Sequence, residues 1–155
     1  MTQAVTVRLA EKPEKSLVAA ILKSYLAELA GFSTLKSLGE QTESYPYLDD
    51  YWRESERQPY LILSDDEVIG FALVRCIEST HYEMAEFSVI TSRRRNGVGQ
   101  VAAMEIFSKL GGDWRIEWLI TNKPAKAFWE SVTRPMNPTA IKARDGYQGI
   151  KLSIR

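Results

Sequence analysis

Arg93-Arg94-Arg95-Asn96-Gly97-Val98-Gly99-Gln100 carries the densest chemical signal in the chain, and it sits between a strand-like segment and a helix-periodic one. Glycines there let successive backbone N–H groups turn inward as an anion nest, a helix N-terminus adds partial positive charge, and three arginines add full charges. Such a loop suits a phosphate. Two patterns overlap in it. Gly97-Val98-Gly99-Gln100-Val101-Ala102 satisfies the dinucleotide fingerprint G-x-G-x-x-A, with Glu117 near the expected distance downstream. The context argues against that pattern: the preceding strands read as hairpins instead of βαβ units, Glu117 falls mid-strand, and too little chain follows. The second pattern is R/Q-x-x-G-x-G, spelled Arg94-Arg95-Asn96-Gly97-Val98-Gly99.

Other residue types narrow the chemistry. A single cysteine, Cys76, cannot form an intramolecular disulfide, and it reads as a buried inert thiol in an apolar strand. A single histidine, His81, cannot build a His-based metal site and reads as an exposed turn residue without a role, so no metal is expected. Tyr45, Tyr47, Asp49, Asp50, Tyr51 and Trp52 combine aromatics with carboxylates, a composition able to seat a cationic amine. The plainer alternative is a short helix with Leu48, Tyr51 and Trp52 packed inward and Asp49 and Asp50 solvated.

The elements that must position these residues follow from periodicity. Thr2–Leu9 alternates as a strand, Pro13-Glu14 opens a helix, and Leu17 to Leu29 carries an apolar stripe at helical spacing that includes Tyr25 and closes at Gly31. Ser33–Ser44 reads as a loop or frayed helix, and the short helix that follows ends at Pro59. Tyr60–Leu63, Val68–Ile77 and Tyr82–Ile90 form an antiparallel meander. Val98, Ala102, Ile106, Phe107 and Leu110 mark a helix stopped by Gly111-Gly112. Arg115–Thr121 is a strand, Pro124 opens a further helix that Pro135 ends, and Ala140–Ala143 and Gly149–Ile154 are short strands.

The R-x-x-G-x-G loop resembles the acetyl-CoA loop of the GNAT N-acetyltransferase superfamily. Ala85-Glu86-Phe87-Ser88-Val89-Ile90 is similar to that family's fourth strand, and Asn122-x-x-Ala125-x-x-Phe128-Trp129 to the N-x-x-A-x-x-F-Y signature of its last helix. The resemblance implies a mixed α/β fold with a central, mostly antiparallel sheet of about seven strands and about four helices, as one domain over residues 1–155. It implies that Val89, Ile90, Arg94, Arg95, Asn96, Gly97, Val98, Gly99, Gln100, Asn122, Phe128 and Trp129 bind acetyl-CoA. Glu86 is then the candidate general base, with a solvated or salt-bridged glutamate as the alternative. The N–H of Ile90 or its neighbour would hold the acetyl carbonyl, a plain ladder hydrogen bond being the alternative. Asn122 would bind the pantetheine arm or cap the helix that Pro124 opens. Tyr47, Asp49 and Asp50 are weak candidates for the acceptor. Trp129 stands where the family keeps a tyrosine proposed to protonate the leaving thiolate, and an indole N–H donates a hydrogen bond but not a proton.

Composition bounds the rest. With 155 residues, 45% apolar and 26% charged, the chain reads as one globular domain. Its longest early apolar run, Leu17–Leu22, is short for a membrane span, and a cytoplasmic location without membrane or nucleic-acid partners is expected. Residues 1–90 hold 8 Lys and Arg against 15 Asp and Glu, and residues 91–155 hold 12 against 5, so the halves carry −7 and +7. That asymmetry fits either a basic half facing an anion such as CoA or plain attraction between the halves. A near-neutral pI of 6.6 fits poorly with nucleic-acid binding through Arg93–Arg95. The expectation is an N-acetyltransferase, monomer or homodimer, acting on a small-molecule or peptide amine; a non-catalytic acyl-CoA sensor on the same fold is the alternative.

Overall fold

Runs of β-branched and aromatic residues punctuated by turn formers give the chain its sheet, and the computed structural model describes it for residues 4–32 and 45–154. The sheet has seven strands: β1 (Val5–Leu9), β2 (Arg57–Ser64), β3 (Glu67–Glu78), β4 (His81–Val89), β5 (Gly112–Leu119), β6 (Thr139–Ile141) and β7 (Tyr147–Ile154). Their spatial order is β1-β2-β3-β4-β5-β7-β6. Every neighbouring pair is antiparallel except β4 with β5. A parallel pair needs a crossover, and α2 (Val98–Leu110) supplies it. The glycine loop is the entrance to that crossover.

Alternation along the strands divides the core into two layers. Val18, Leu22 and Leu26 of α1 (Lys15–Ala30) pack with Leu61, Leu63, Phe71 and Leu73 on one face of the sheet. On the other face Ala102, Ala103, Ile106 and Phe107 of α2, with Trp129 and Val132 of α3 (Lys123–Thr133), cover Ile62, Ala72, Val74, Trp114 and Ile116. No helix among the described residues is long and apolar enough to cross a membrane.

Several elements differ from the sequence reading. Three α-helices are present among the described residues instead of about four, because the stretch around Tyr51 forms only a 3-10 turn, Asp49–Trp52. Ser33–Ser44 and the Thr2-Gln3 start of the first strand lie outside the described residues. Pro59 does not end a helix; it lies within β2 opposite Leu73. Its carbonyl accepts from Ala10 N–H, so its nitrogen faces the same side, beyond the last β1 pair at Leu9 and Tyr60, where no ladder donor is required. Cys76 is half-buried instead of buried, and its thiol donates to Ser79 O at 3.0 Å. His81 is exposed in the hairpin between β3 and β4, as its sequence context suggests.

Phe107 ties the crossover helix to β5, its ring edge-on to Trp114 at 4.9 Å with both side chains fully buried. Phe107→Ala is expected to lower the unfolding free energy by about 3–5 kcal/mol, measured by urea denaturation. A loss near zero would mean that α2 is not anchored through this contact.

Candidate active site

The site begins where two strands part. β4 and β5 share only three parallel pairs, His81 with Asp113, Tyr82 with Trp114 and Glu83 with Arg115. Beyond Glu83 the two strands diverge, while β4 stays laddered to β3 and β5 to β7. The cleft-facing edge of β4 can be worked out from the ladder on its other side. Ile90 N–H donates to Ile69 O at 2.8 Å, which makes Ile69 and Ile90 a hydrogen-bonded pair; backbone groups alternate along a strand, so those of Val89 and Phe87 point away from β3. The carbonyl of Val89 confirms that direction by accepting Arg94 Nε at 2.7 Å. The Ile90 N–H is therefore spent in the ladder, and its neighbour Val89 presents the donor that faces the gap.

A bulge aims the carboxylate. Leu73 pairs with Glu86 but Val74 pairs with Met84, so Ala85 is an extra residue in β4. Without it Met84 and Glu86 would share a face. Instead Met84 enters the layer under α2 and Glu86 turns to the α1 side. There Tyr25 OH donates to Glu86 Oε1 at 3.0 Å and Tyr45 OH donates to Oε2 at 3.1 Å. Burial pushes the Glu86 carboxyl up to about 7; the two tyrosine hydrogen bonds and Arg144 oppose the rise, and Glu83 adds to it. The residue is half-buried and its carboxylate is desolvated. Near neutral pH such a group exchanges a proton readily.

The glycine loop lies at the end of the same strand. Arg95 and Gly97 both adopt left-handed backbone, at φ 67° and 83°, a curl that turns N–H groups to one side. Val98 N–H reaches Asn96 Oδ1 at 3.4 Å, while those of Gly99 and Gln100 have no partner within the first turn of α2. The three arginines divide. Arg93 bonds Glu67 at 3.0 Å, and Arg94 grips Glu28 of α1 through both terminal nitrogens at 2.6 and 2.9 Å. Among the described residues Arg95 makes no ion pair, which leaves it the open cation of the loop.

Asn122 caps α3 by accepting from Ala125 N–H at 3.2 Å and is itself buried. Phe128 and Trp129 close the helix side of the gap around Phe87, with ring centroids 5.5 Å and 5.2 Å from it. Trp129 is thus a buried packing residue. On β5, past the last β4 pair, Trp118 Nε1 is buried without a hydrogen-bond partner. The weak acceptor candidates are not gathered at Glu86. Asp49 is ion-paired with Lys15 and lies within 4.0 Å of Arg53, Asp50 is half-buried in the same 3-10 turn, and the Tyr47 ring is already faced by Arg57 at 5.1 Å.

Sequence reasoning passed over Tyr25 and Tyr45 as partners of Glu86. Tyr25 sits on an apolar helical stripe, and its polar tip on that stripe was the only available signal. Tyr45 stood among other aromatics with nothing to set it apart. These residues fit acetyl-CoA: a gap between strands with N–H groups facing it, a curled loop at a helix start whose Arg95 makes no ion pair among the described residues, and a buried indole donor on β5 without a partner among them.

The two loop glycines serve different needs. A Cβ on Gly97 would meet nothing within 4 Å but would occupy left-handed backbone, whereas a Cβ on Gly99 would stand 3.0 Å from the Phe128 ring. Gly97→Ala should cost about 1 kcal/mol through conformation alone, and Gly99→Ala about 1–3 kcal/mol through crowding. In urea denaturation Phe128→Leu should rescue Gly99→Ala and not Gly97→Ala; equal rescue of both would contradict the assignment.

Comparison with known proteins completes the picture. The model of the acetyltransferase (GNAT) family matches residues 19–132. No curated protein matches the sequence. Among solved structures, the PaiA N-acetyltransferase of Thermoplasma acidophilum in complex with coenzyme A superposes with TM-score 0.74 at 11% identity, over 97% of this chain and 99% of its own. A GNAT-family acetyltransferase of Streptococcus agalactiae gives 0.73 at 13%, over 100% and 98%. The ribosomal-protein-S18-alanine N-acetyltransferase of Escherichia coli gives 0.64 at 14%, over 97% and 94%. With the family matched over most of its length around a gap and loop that fit acetyl-CoA, the chain belongs to the GNAT acetyltransferases and uses acetyl-CoA as co-substrate.

Proposed function

We propose that the protein transfers the acetyl group to a primary amine by direct attack in a ternary complex, with Glu86 as general base. The observation that carries this reading is the position of Glu86: beside the gap, desolvated, with a carboxyl pushed up to about 7. The acceptor nitrogen arrives as ammonium and passes a proton to the carboxylate. Its lone pair then forms the C–N bond to the thioester carbonyl carbon, the C–S bond breaks, and the second proton that the acylated nitrogen sheds is taken up by the departing sulfur, so the products are the amide and CoA thiol. Val89 N–H, facing the gap, is the donor for the carbonyl oxygen as charge builds on it. Arg95, Gly97, Val98, Gly99 and Gln100 hold the pyrophosphate, with Asn96, Asn122 and Phe128 lining the path of the cofactor. Arg94 acts here by anchoring the loop to α1 and β4.

Purified protein with acetyl-CoA and a panel of amines (polyamine, amino acid, peptide N-terminus) should release free CoA thiol with at least one of them. Glu86→Gln is expected to reduce kcat/KM by about 100-fold or more, and wild-type kcat/KM should rise with pH through about 7 as the carboxyl ionises. A flat acid limb together with an active Glu86→Gln would remove the base from this mechanism.

The two arginines separate in a thermal shift experiment. Arg95→Ala should leave the ligand-free melting temperature in place and weaken acetyl-CoA about tenfold, whereas Arg94→Ala should lower the ligand-free melting temperature. The reverse pattern would make Arg94 the phosphate ligand.

Trp129 in place of the family tyrosine favours a second reading, a non-catalytic acyl-CoA sensor. Stabilisation by acetyl-CoA with no thiol release across the amine panel, and with acetyl-CoA surviving intact, would select it.

A further inference from the structure

We infer that Tyr25 and Tyr45 are positioning residues for Glu86: their hydroxyls, brought from α1 and from the segment ahead of the Asp49–Trp52 turn, fix the carboxylate at the edge of the gap and keep it ionised for proton uptake. The inference rests on Glu86 serving the proposed transfer, and its test is independent of turnover.

The geometry is specific. Each carboxylate oxygen receives one donor, Oε1 from Tyr25 and Oε2 from Tyr45, so the plane of the carboxylate cannot turn without breaking both bonds. Each oxygen keeps a second lone pair, which leaves room for an incoming N–H. The two rings are themselves held in place. Tyr25 packs edge-on to Phe71 at 5.7 Å, and Tyr45 packs edge-on to Tyr47 at 6.1 Å, whose ring Arg57 faces in turn.

These bonds are not the only way this fold treats a tyrosine hydroxyl. Buried Tyr60 satisfies its own by donating to Gln58, and the hydroxyl of Tyr51, beside Tyr45, is buried next to Arg57 instead of bonding the carboxylate. Convergence of two hydroxyls on one carboxylate, from residues 61 and 41 positions away, is therefore more than the nearest available acceptor.

The other groups facing this cluster are few. Glu83 of β4 repels the Glu86 charge and Arg144, in the link between β6 and β7, favours it. Tyr147 of β7 acts on Tyr25, and Tyr51 and Arg57 act on Tyr45. Against burial, the two tyrosine hydrogen bonds are the largest forces keeping the carboxylate charged.

The test reads Glu86 directly in the full-length, ligand-free protein. With glutamate side chains labelled at the carboxyl carbon, the Glu86 resonance is assigned by its loss in Glu86→Gln and titrated by NMR from about pH 5 to about pH 9. Tyr25→Phe and Tyr45→Phe should each move the midpoint upward by about one pH unit, tenfold in proton affinity, and the double variant further. Tyr60→Phe should leave it in place. A midpoint that does not rise in either variant, or that rises equally in Tyr60→Phe, overturns the inference; a rise in one alone strips the other tyrosine of the role. Should Tyr25→Phe melt, Tyr45→Phe, outside the helix, still decides the sign. An unaltered turnover in Glu86→Gln would sink the general base while leaving this titration to judge the tyrosines.

Discussion

The early end of the β4–β5 ladder is the constraint on which the chemistry of this protein depends. Three parallel pairs join two otherwise complete half-sheets, β1 to β4 on one side and β5, β7 and β6 on the other. Each half satisfies its own backbone, so the parted edges retain N–H groups directed into the space between them. A continuous sheet would have consumed those donors in its ladder. On the helix side Phe87 of β4 packs with Phe128 and Trp129 of α3, which gives that face of β4 an apolar cover. The crossover helix α2 then starts at the mouth of the gap and brings its glycine loop to the same end. One topological feature thus sets the gap, the backbone donors along it and the position of the glycine loop at its mouth.

Charge is organised around that gap. The −7 and +7 halves of the chain meet in specific pairs, Glu28 with Arg94 and Glu67 with Arg93, so part of the asymmetry is mutual attraction between segments far apart in sequence. The remainder includes Arg95, which is exposed and makes no ion pair among the described residues. Glu86 stands apart from these pairs because its counterweights are neutral hydroxyls. Its folded value, about 7 against an ordinary 4.5, means that the folded chain holds a proton the unfolded chain has lost across that interval. This group therefore favours folding fully below the ordinary value, and its contribution disappears as pH rises through about 7. A difference of that size corresponds to about 3 kcal/mol, so the ionised carboxylate is maintained in opposition to stability. Glu28 and Glu117 behave in the opposite sense, held down by their arginine partners and stabilising once ionised.

α1 links the two parts of the site. Tyr25 and Glu28 lie one turn apart, so a single helix end holds both the carboxylate, through Tyr25, and the cofactor loop, through Glu28 and Arg94. Arg94 also bonds the carbonyl of Val89, whose N–H faces the gap. The glycine loop, β4 and α1 are in this way mechanically joined through part-buried hydrogen bonds and one bidentate ion pair.

How much of this was legible in the residues follows from the range of the forces involved. The alternation of Val68–Ile77 and Tyr82–Ile90, the stripe from Val98 to Leu110 and the cap formed by Asn122 before Pro124 are local matters, and the sequence determined them because backbone propensity and period act within a few residues. The turn into α2 was equally legible, since a glycine at Gly97 is the residue type that left-handed backbone favours. Tertiary structure decided the rest. Whether Glu86 or its neighbours face α1 depends on one extra residue at Ala85, and no periodicity announces a bulge. Whether Ile90 or Val89 offers its N–H to the gap depends on register with β3. Tyr25 looks like core in its own helix and becomes a ligand of Glu86 only when 61 residues of intervening chain bring β4 beneath it. Arg94 is assigned to Glu28 across 66 residues by the same packing. Hydrogen bonds are short-ranged and directional, so a sequence can specify which groups seek partners while only the assembled sheet decides which partners lie within reach.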